Sequence, residues 1–297
     1  MAHDKTDPSA AIFPKWANYA LPLLVLGAIG GALITPPIVF FGLSATTLNV
    51  GYRPEQPVPY SHAIHVGQLG LDCLHCHNTV DQASFAAIPP TATCINCHAP
   101  GEFPEGVDEN GDGAPDATNW MGIWQNSPKL KAVHESFFTG EPIEWVKVHD
   151  LADYAYFNHS SHVNRGVGCY SCHGRVDQMG AENNGQSVWQ VHELSMAWCI
   201  ECHRAPEKAL RPLDQVTNMT WHMGSEAVFE QLKAARGESD WTPEELQRLR
   251  ERSRELGIPQ AEGQSVADAQ EELGRKLKES YLIHSEAYMQ ACSTCHR

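Results

Sequence analysis

From Trp16 to Tyr52 the chain carries no charged side chain, and Ala17 to Leu43 is almost wholly apolar. About 20 apolar residues cross a bilayer as a helix, so this run predicts a transmembrane helix over 16–43 behind a polar cytoplasmic tail at 1–15. A cleaved signal peptide is the competing reading. Its apolar region would span about 7–15 residues and end at a small-x-small site. Here the run is longer and no A-x-A follows, so an uncleaved anchor is expected. Pro36 and Pro37 lie inside the run and predict a kink, or the end of its regular part, at that point. Beyond Tyr52 nothing alternates apolar and polar positions for long enough to read as a strand, so little sheet is expected. Helical signals return near the C-terminus. Thr242-Pro243-Glu244-Glu245 is a capping box with proline at the first helical position, and Gly257 stops the helix it opens. A second helical run covers about Ser265 to Tyr281, and the alternating Arg and Glu of 247–255 read as a solvated face.

The 297 residues suffice for one or two domains, and the net charge is −15. That balance argues against nucleic acid, whose phosphates need clustered Lys and Arg. It suits a basic protein partner, or solubility alone. Lys5 and Lys15 precede the apolar run and Arg53 follows it, a thin bias that points the tail inward.

The chemistry lies in the cysteines. Cys73-Leu-His-Cys76-His77, Cys94-Ile-Asn-Cys97-His98, Cys169-Tyr-Ser-Cys172-His173, Cys199-Ile-Glu-Cys202-His203 and Cys292-Ser-Thr-Cys295-His296 each spell C-x-x-C-H. That spacing lets two thiols add to the vinyl groups of one porphyrin and brings the next residue, histidine, beneath the iron. Five covalently bound haem c groups follow, with His77, His98, His173, His203 and His296 as proximal ligands. Two H-x-x-H pairs, His62/His65 and His159/His162, stand upstream of the first and third motifs and supply distal imidazoles. Two imidazoles on one iron leave no open position, which suits electron transfer rather than chemistry on a substrate.

The unit is an internal repeat. Both copies read C-H-x-x-V-D-Q, at Val80-Asp81-Gln82 and Val176-Asp177-Gln178, and both close on C-I-x-C-H followed by Ala-Pro. The second copy has nine extra residues between its haem motifs. Zinc or redox C-x-x-C chemistry is the weaker account, because a zinc site pools four ligands and each pair here has its own histidine. All ten cysteines are consumed by the five motifs. The expected fold is mainly α and irregular, with short helices wrapped around haems plus one N-terminal transmembrane helix.

Two pairs serve four irons, so the fifth needs another ligand. His149, ten residues before His159, is the first candidate, and Met179, which stands where the first copy has Ala83, is its rival. Packing is the plain alternative for the methionine. His284, His222 and Met196 come next, while His75, His134 and His192 carry no spacing argument and His3 lies in the tail.

W-x-x-V-H-x-L at Trp145–Leu151, Y-F-N-H-S-S-H-V at Tyr156–Val163, G-V-G-C-Y-S-C-H-G-R-V-D-Q-M and M-A-W-C-I-E-C-H-R together resemble the pentahaem subunit of alternative complex III. The H-x-x-H…C-x-x-C-H unit alone is similar to class III multihaem cytochromes in general. The resemblance implies a subunit that relays electrons from a membrane quinol-oxidising complex to a periplasmic carrier or terminal oxidase. It implies no substrate site of its own. Its neighbours would be iron–sulfur, molybdopterin-like and integral quinol-binding subunits. Related subunits in quinone-reductase complexes pass electrons the other way, and a free-standing tethered conduit is a third reading. A multihaem nitrite reductase would call for a lysine in place of one motif histidine, and all five here are histidine. Haem attachment takes place outside the cytoplasmic membrane, so the haem domain is expected on the periplasmic face of a single-pass protein.

The organisation expected is therefore a tail (1–15), an anchor (16–43), a linker (44–58), a two-haem module (59–100), an insertion (101–144), a second module (145–210) and a helical segment ending in the fifth site (211–297). In the insertion Asp108, Asn110, Asp112, Gly113 and Asp116 have the spacing of a calcium loop. Asn119 replaces the bidentate glutamate and Pro115 an apolar residue, so an acidic surface loop is preferred over calcium.

Overall fold

Short helices joined by irregular chain make up the structure, a computed structural model that describes residues 16–42, 47–100, 122–180, 188–235 and 241–296. Calcium-like positions 108–119 lie outside these residues. Pairing between extended segments is limited, among the described residues, to single bridges at Val167 with Leu210 and Gly224 with Ile258. The mainly α and irregular architecture is as the hydrophobic pattern implies. Residues 1–50 form one compact unit and 51–297 another.

Within the first unit, α1 (Ala17–Gly42) is 26 residues long and buries none of its side chains. At 1.5 Å per residue it is about 39 Å long, more than the hydrocarbon core of about 30 Å. It is the one described helix long and apolar enough to cross a membrane. It does not end at its proline pair: Pro22, Pro36 and Pro37 are all inside it. A proline removes one N–H bond and crowds one carbonyl, while the turns on either side still pair, so the helix continues to Gly42.

The second unit is assembled around the haem motifs. Each cysteine pair occupies a helical turn: α2 (Cys73–Cys76), α3 (Thr91–His98), α6 (Cys169–His173), α7 (Met196–Arg204) and α12 (Cys292–Cys295). Helical rise is what brings residues i and i+3 to one side, as a porphyrin edge requires. The upstream histidines differ between copies. His159 and His162 share α5 (His159–Val163), whereas His62 precedes a π-helical turn at Ala63–Gln68. Beyond the insertion, α4 (Lys131–Thr139) packs on α3 through Ile95, Leu130 and Val133, with Val58 and Ala99 completing that core.

The two copies interlock by exchange. The turn of the first histidine pair docks on the loop behind the second copy's V-D-Q, where the Ala63 N–H donates to the Met179 carbonyl at 2.9 Å. At the matching place the Ser160 N–H donates to the Ala83 carbonyl at 3.1 Å. Positions 63 and 160 correspond in the repeat, as do 83 and 179. The docking is tight, because a Cβ on Gly67 would stand 2.4 Å from the Asp177 carbonyl oxygen.

Past the fourth motif come α8 (Ser225–Ala235), α9 (Pro243–Leu256) and α10 (Val266–Ser280). Thr242 accepts from the Glu245 N–H while the Glu245 carboxylate accepts from the Thr242 N–H, the reciprocal cap expected there. Trp221, Ile258 and Ala269 form the core of this region. Helix α10 lies against the turn after the fourth motif, where Lys278 pairs with Glu207 at 3.2 Å and Gln270 donates to the carbonyls of Glu207 and Leu210. Gly274 makes the approach possible: a Cβ there would meet the Glu207 carbonyl oxygen at 1.9 Å. Gly274→Ala is therefore expected to lower stability by about 2 kcal/mol despite alanine's better helix propensity. Denaturant titration against the unchanged chain checks this, and equal midpoints would show that α10 is not held so closely. Helix α11 (Glu286–Met289) then leads the chain to α12.

Candidate haem-binding site

None of the ten cysteines is paired in a disulfide. Among the described residues no three Cys, His, Asp or Glu side chains converge as a bare-ion site, which a zinc centre would require. Most of the cysteines with a shifted thiol are not of the reactive kind; Cys169, lowered by its contact with Cys73, is the exception. Burial raises the thiol pKa of Cys76, Cys94, Cys199 and Cys202, and takes Cys172 up to about 12. Redox and nucleophilic cysteines are shifted the opposite way.

The motifs lie in a row whose order differs from that of the chain. Cys76 is within electrostatic reach of Cys94 and Cys97, linking the first motif to the second. Cys73 and Cys169 are in side-chain contact, linking the first to the third. Cys172 is within electrostatic reach of Cys199 and Cys202, and Cys199 of Cys295. The sequence of sites is thus second, first, third, fourth, fifth. Cys73 and Cys169 hold the same position in the two copies, so the copies meet there through like residues.

Hydrogen bonds orient the histidines. The Nδ1 of His77 faces the Ala87 carbonyl at 2.9 Å, that of His98 the Ile123 carbonyl at 2.7 Å, and that of His203 the Met289 carbonyl at 2.9 Å. His296 does the same with the Tyr154 carbonyl at 2.9 Å. Distal candidates follow the pattern: His65 with Ser61, His162 with Asn158, and His159 with Ser84 across the copies. A proton held on Nδ1 leaves the Nε2 lone pair for a metal, the usual outer-shell device around ligating imidazoles. His134 is spent otherwise, since its Nε2 faces the His98 carbonyl at 2.8 Å.

Two pairs of histidine rings stand at the spacing of a shared ligand. His65 and His98 have ring centres 5.9 Å apart, and His162 and His203 6.3 Å. Two imidazoles on one metal, each bound at about 2 Å, put their ring centres roughly 6 Å apart. The couples match in the repeat, the second histidine of each pair facing the second motif of its own copy. An aromatic ring steadies each: Tyr60 stacks on His65 at 4.4 Å and Phe157 on His162 at 4.5 Å. Both sit two residues before the first histidine, a signal present in Y-S-H and F-N-H that motif reading passed over.

The remaining imidazoles gather at the junction of the copies. Burial, then the neighbouring His77, takes His62 down to about 4, and burial with His149, His159, His77 and His62 nearby takes His173 to about 3. Burial likewise lowers His149 and His162. All are neutral at pH 7, the form that ligates. His62 Nδ1 and His149 Nε2 are buried polar atoms without a partner. Such orphans call for a ligand, and together with the free Nε2 atoms they make the residues fit haem c. The His149 ring meets His173 edge to face at 4.6 Å, closer than two ligands of one iron stand. Met179 is 1 % exposed and lies at the seat of the first histidine turn, its carbonyl taken by Ala63. Among the described residues no imidazole stacks on His296; its ring neighbour is Tyr154 at 5.9 Å. His222 stacks on Tyr170 at 4.0 Å and His192 on Trp198, His284 lies tilted against Tyr288 at 4.2 Å, and Met196 is exposed.

Comparison with known proteins agrees with this chemistry. Residues 155–225 match the family described as cytochrome c7 and related cytochrome c. The chain is 29 % identical over 123 residues to the multihaem cytochrome c subunit of menaquinone reductase from Nitratidesulfovibrio vulgaris, strain Hildenborough. That match covers 41 % of this chain and 47 % of the relative, about half its length. The chain is thus similar to multihaem c cytochromes, including one from a quinone-linked complex.

Proposed function

We propose that this protein is a membrane-anchored pentahaem electron relay within a quinone-linked complex. The observation that carries the reading is the unbroken row of five C-x-x-C-H turns, with imidazoles facing His98 and His203 across the separation an iron needs. Haem, when bound, supplies one-electron iron chemistry. The residues attach it through the ten cysteines, direct Nε2 at it from His77, His98, His173, His203 and His296, and close the sixth positions with His62, His65, His159 and His162. Helix α1 holds the chain at the cytoplasmic membrane with the haem domain outside. An acidic domain there would also draw in a basic carrier, an attraction that salt weakens.

The resemblance to the alternative complex III subunit favours quinol oxidation, with electrons leaving toward a periplasmic carrier or terminal oxidase. The likeness to a menaquinone reductase subunit favours a second reading in which electrons enter from outside and reduce quinone. Complex extracted in mild detergent separates the two. Under quinol oxidation, added quinol reduces the haems and an external acceptor reoxidises them. Reduction by an external donor, followed by reoxidation with quinone alone, would establish the reverse direction. Neither exchange, with the haem protein migrating alone on gel filtration, would overturn the proposal of a quinone-linked complex. Haem stoichiometry is tested by mass spectrometry of the mature chain, which is expected to carry five haem additions; four or fewer would refute the five-haem assignment.

A further inference from the structure

Where the two copies meet lies a charge that the relay reading leaves unused. Arg211 is 3 % exposed and, among the described residues, is the one charged side chain in the buried interior. Its guanidinium presses on Gly168, the residue before Cys169, so closely that a Cβ there would stand 2.1 Å from Nε and Cζ. One terminal nitrogen donates to the Asn218 carbonyl at 2.8 Å and, at 3.4 Å, to that of Gln215. Nε has no partner. The groups that feel its charge most are Cys169 and Tyr170, inside the third motif. Among the described residues no carboxylate pairs with it. The nearby Asp177 is engaged by Arg175 through two bonds of 2.8 and 2.6 Å.

Burying a cation without a counter-ion is costly, and unpaired arginine is rarely found fully buried. Burial lowers the pKa of Arg211 only to about 10, so the charge persists at neutral pH. A fixed positive charge in a water-poor region acts on its surroundings with little screening. An iron gains an electron when reduced, so such a charge favours the reduced state.

We propose that Arg211 raises the reduction potential of the haem held by Cys169, Cys172 and His173, at the centre of the row. Arg211 does not touch the iron in this account; it is a tuning residue acting through space. The inference rests on the haem reading above, and the two fail separately: haem number tests that reading, the potential tests this one.

The experiment compares Arg211→Gln, which removes the charge and keeps N–H donors, with Arg211→Lys, which keeps the charge. Both are purified as the full-length holoprotein, haem number is checked by mass, and spectra are recorded through a redox titration. In Arg211→Gln one of five components is expected to titrate lower, its reduced-to-oxidised ratio at fixed potential falling about tenfold, equal to about 59 mV for one electron. Arg211→Lys is expected to retain at least half of the original position. Superposable titrations of Arg211→Gln and the unchanged chain overturn the proposal. So does a lysine variant displaced as far as the glutamine one, since packing would then be responsible. Loss of a haem from Arg211→Gln also overturns it, because the residue would be structural.

Discussion

His149→Ala is expected to convert one of the five irons from low spin to high spin, and to do so only while the fifth motif is present. The argument runs through the repeat. His65 faces His98 and His162 faces His203 at matching separations, so the copies ligate alike. The proximal histidine that bears most strongly on His62 is His77 of its own copy. By the same correspondence His159 belongs to His173, which leaves His149, with its orphaned Nε2, for the iron above His296. Recording the spectra of His149→Ala in a Cys292→Ala/Cys295→Ala background decides it. If the spin change persists there, His149 serves the third iron, whose proximal ring it touches at 4.6 Å. Met179→Leu is expected to leave every iron's ligation unchanged, because its side chain is enclosed in packing beside the first histidine turn. Substituting one large apolar group for another there costs less than about 1.5 kcal/mol.

The second large effect is expected from one added methyl group. Gly67→Ala places a carbon 2.4 Å from the Asp177 carbonyl oxygen, a backbone atom that cannot swing aside. The turn must retreat from the second copy, at about 2 kcal/mol or more. The damage is not confined to the copy that carries the substitution. The turn sets His62 and His65 on one side, while Met179, at the end of the loop behind the third motif, lies on the other. Spectral changes on denaturation should therefore show both modules released in a single transition at lower denaturant. Two separated transitions, with the second copy unaffected, would mean that the exchange does not couple them.

How far this architecture could be read in advance differs from one residue to the next. The cysteine motifs and histidine pairs are local patterns, because porphyrin attachment needs a fixed i, i+3, i+4 spacing. The cap at Thr242 and the helical run from about Ser265 were legible for the same reason, and the helices there run from Pro243 and Val266. What could not be read is whatever depends on residues distant in the chain. The carbonyls that orient His77, His98, His203 and His296 come from Ala87, Ile123, Met289 and Tyr154, and any residue type supplies a carbonyl. Arg211 has no motif around it; its importance appears only where Gly168 leaves room for a guanidinium. Helix α8 did carry a signal, an apolar face with Val228 and Phe229 buried, that motif reading passed over. At Pro36-Pro37 the helix continues, because the local penalty of a proline is outweighed by the turns around it.

The meeting of like residues at Cys73 and Cys169, with the reciprocal bonds from Ala63 and Ser160, is the contact pattern of an isologous homodimer. In such a dimer each surface patch is its own partner, so residue i of one subunit touches j of the other while j touches i. A single chain has here taken over that arrangement, with both halves fused through the insertion. A fused pair is free to do what identical subunits cannot: its halves can diverge. Four sites related by near-symmetry give an electron no reason to prefer either end. The fifth motif, which follows one half alone, gives the row two distinguishable ends.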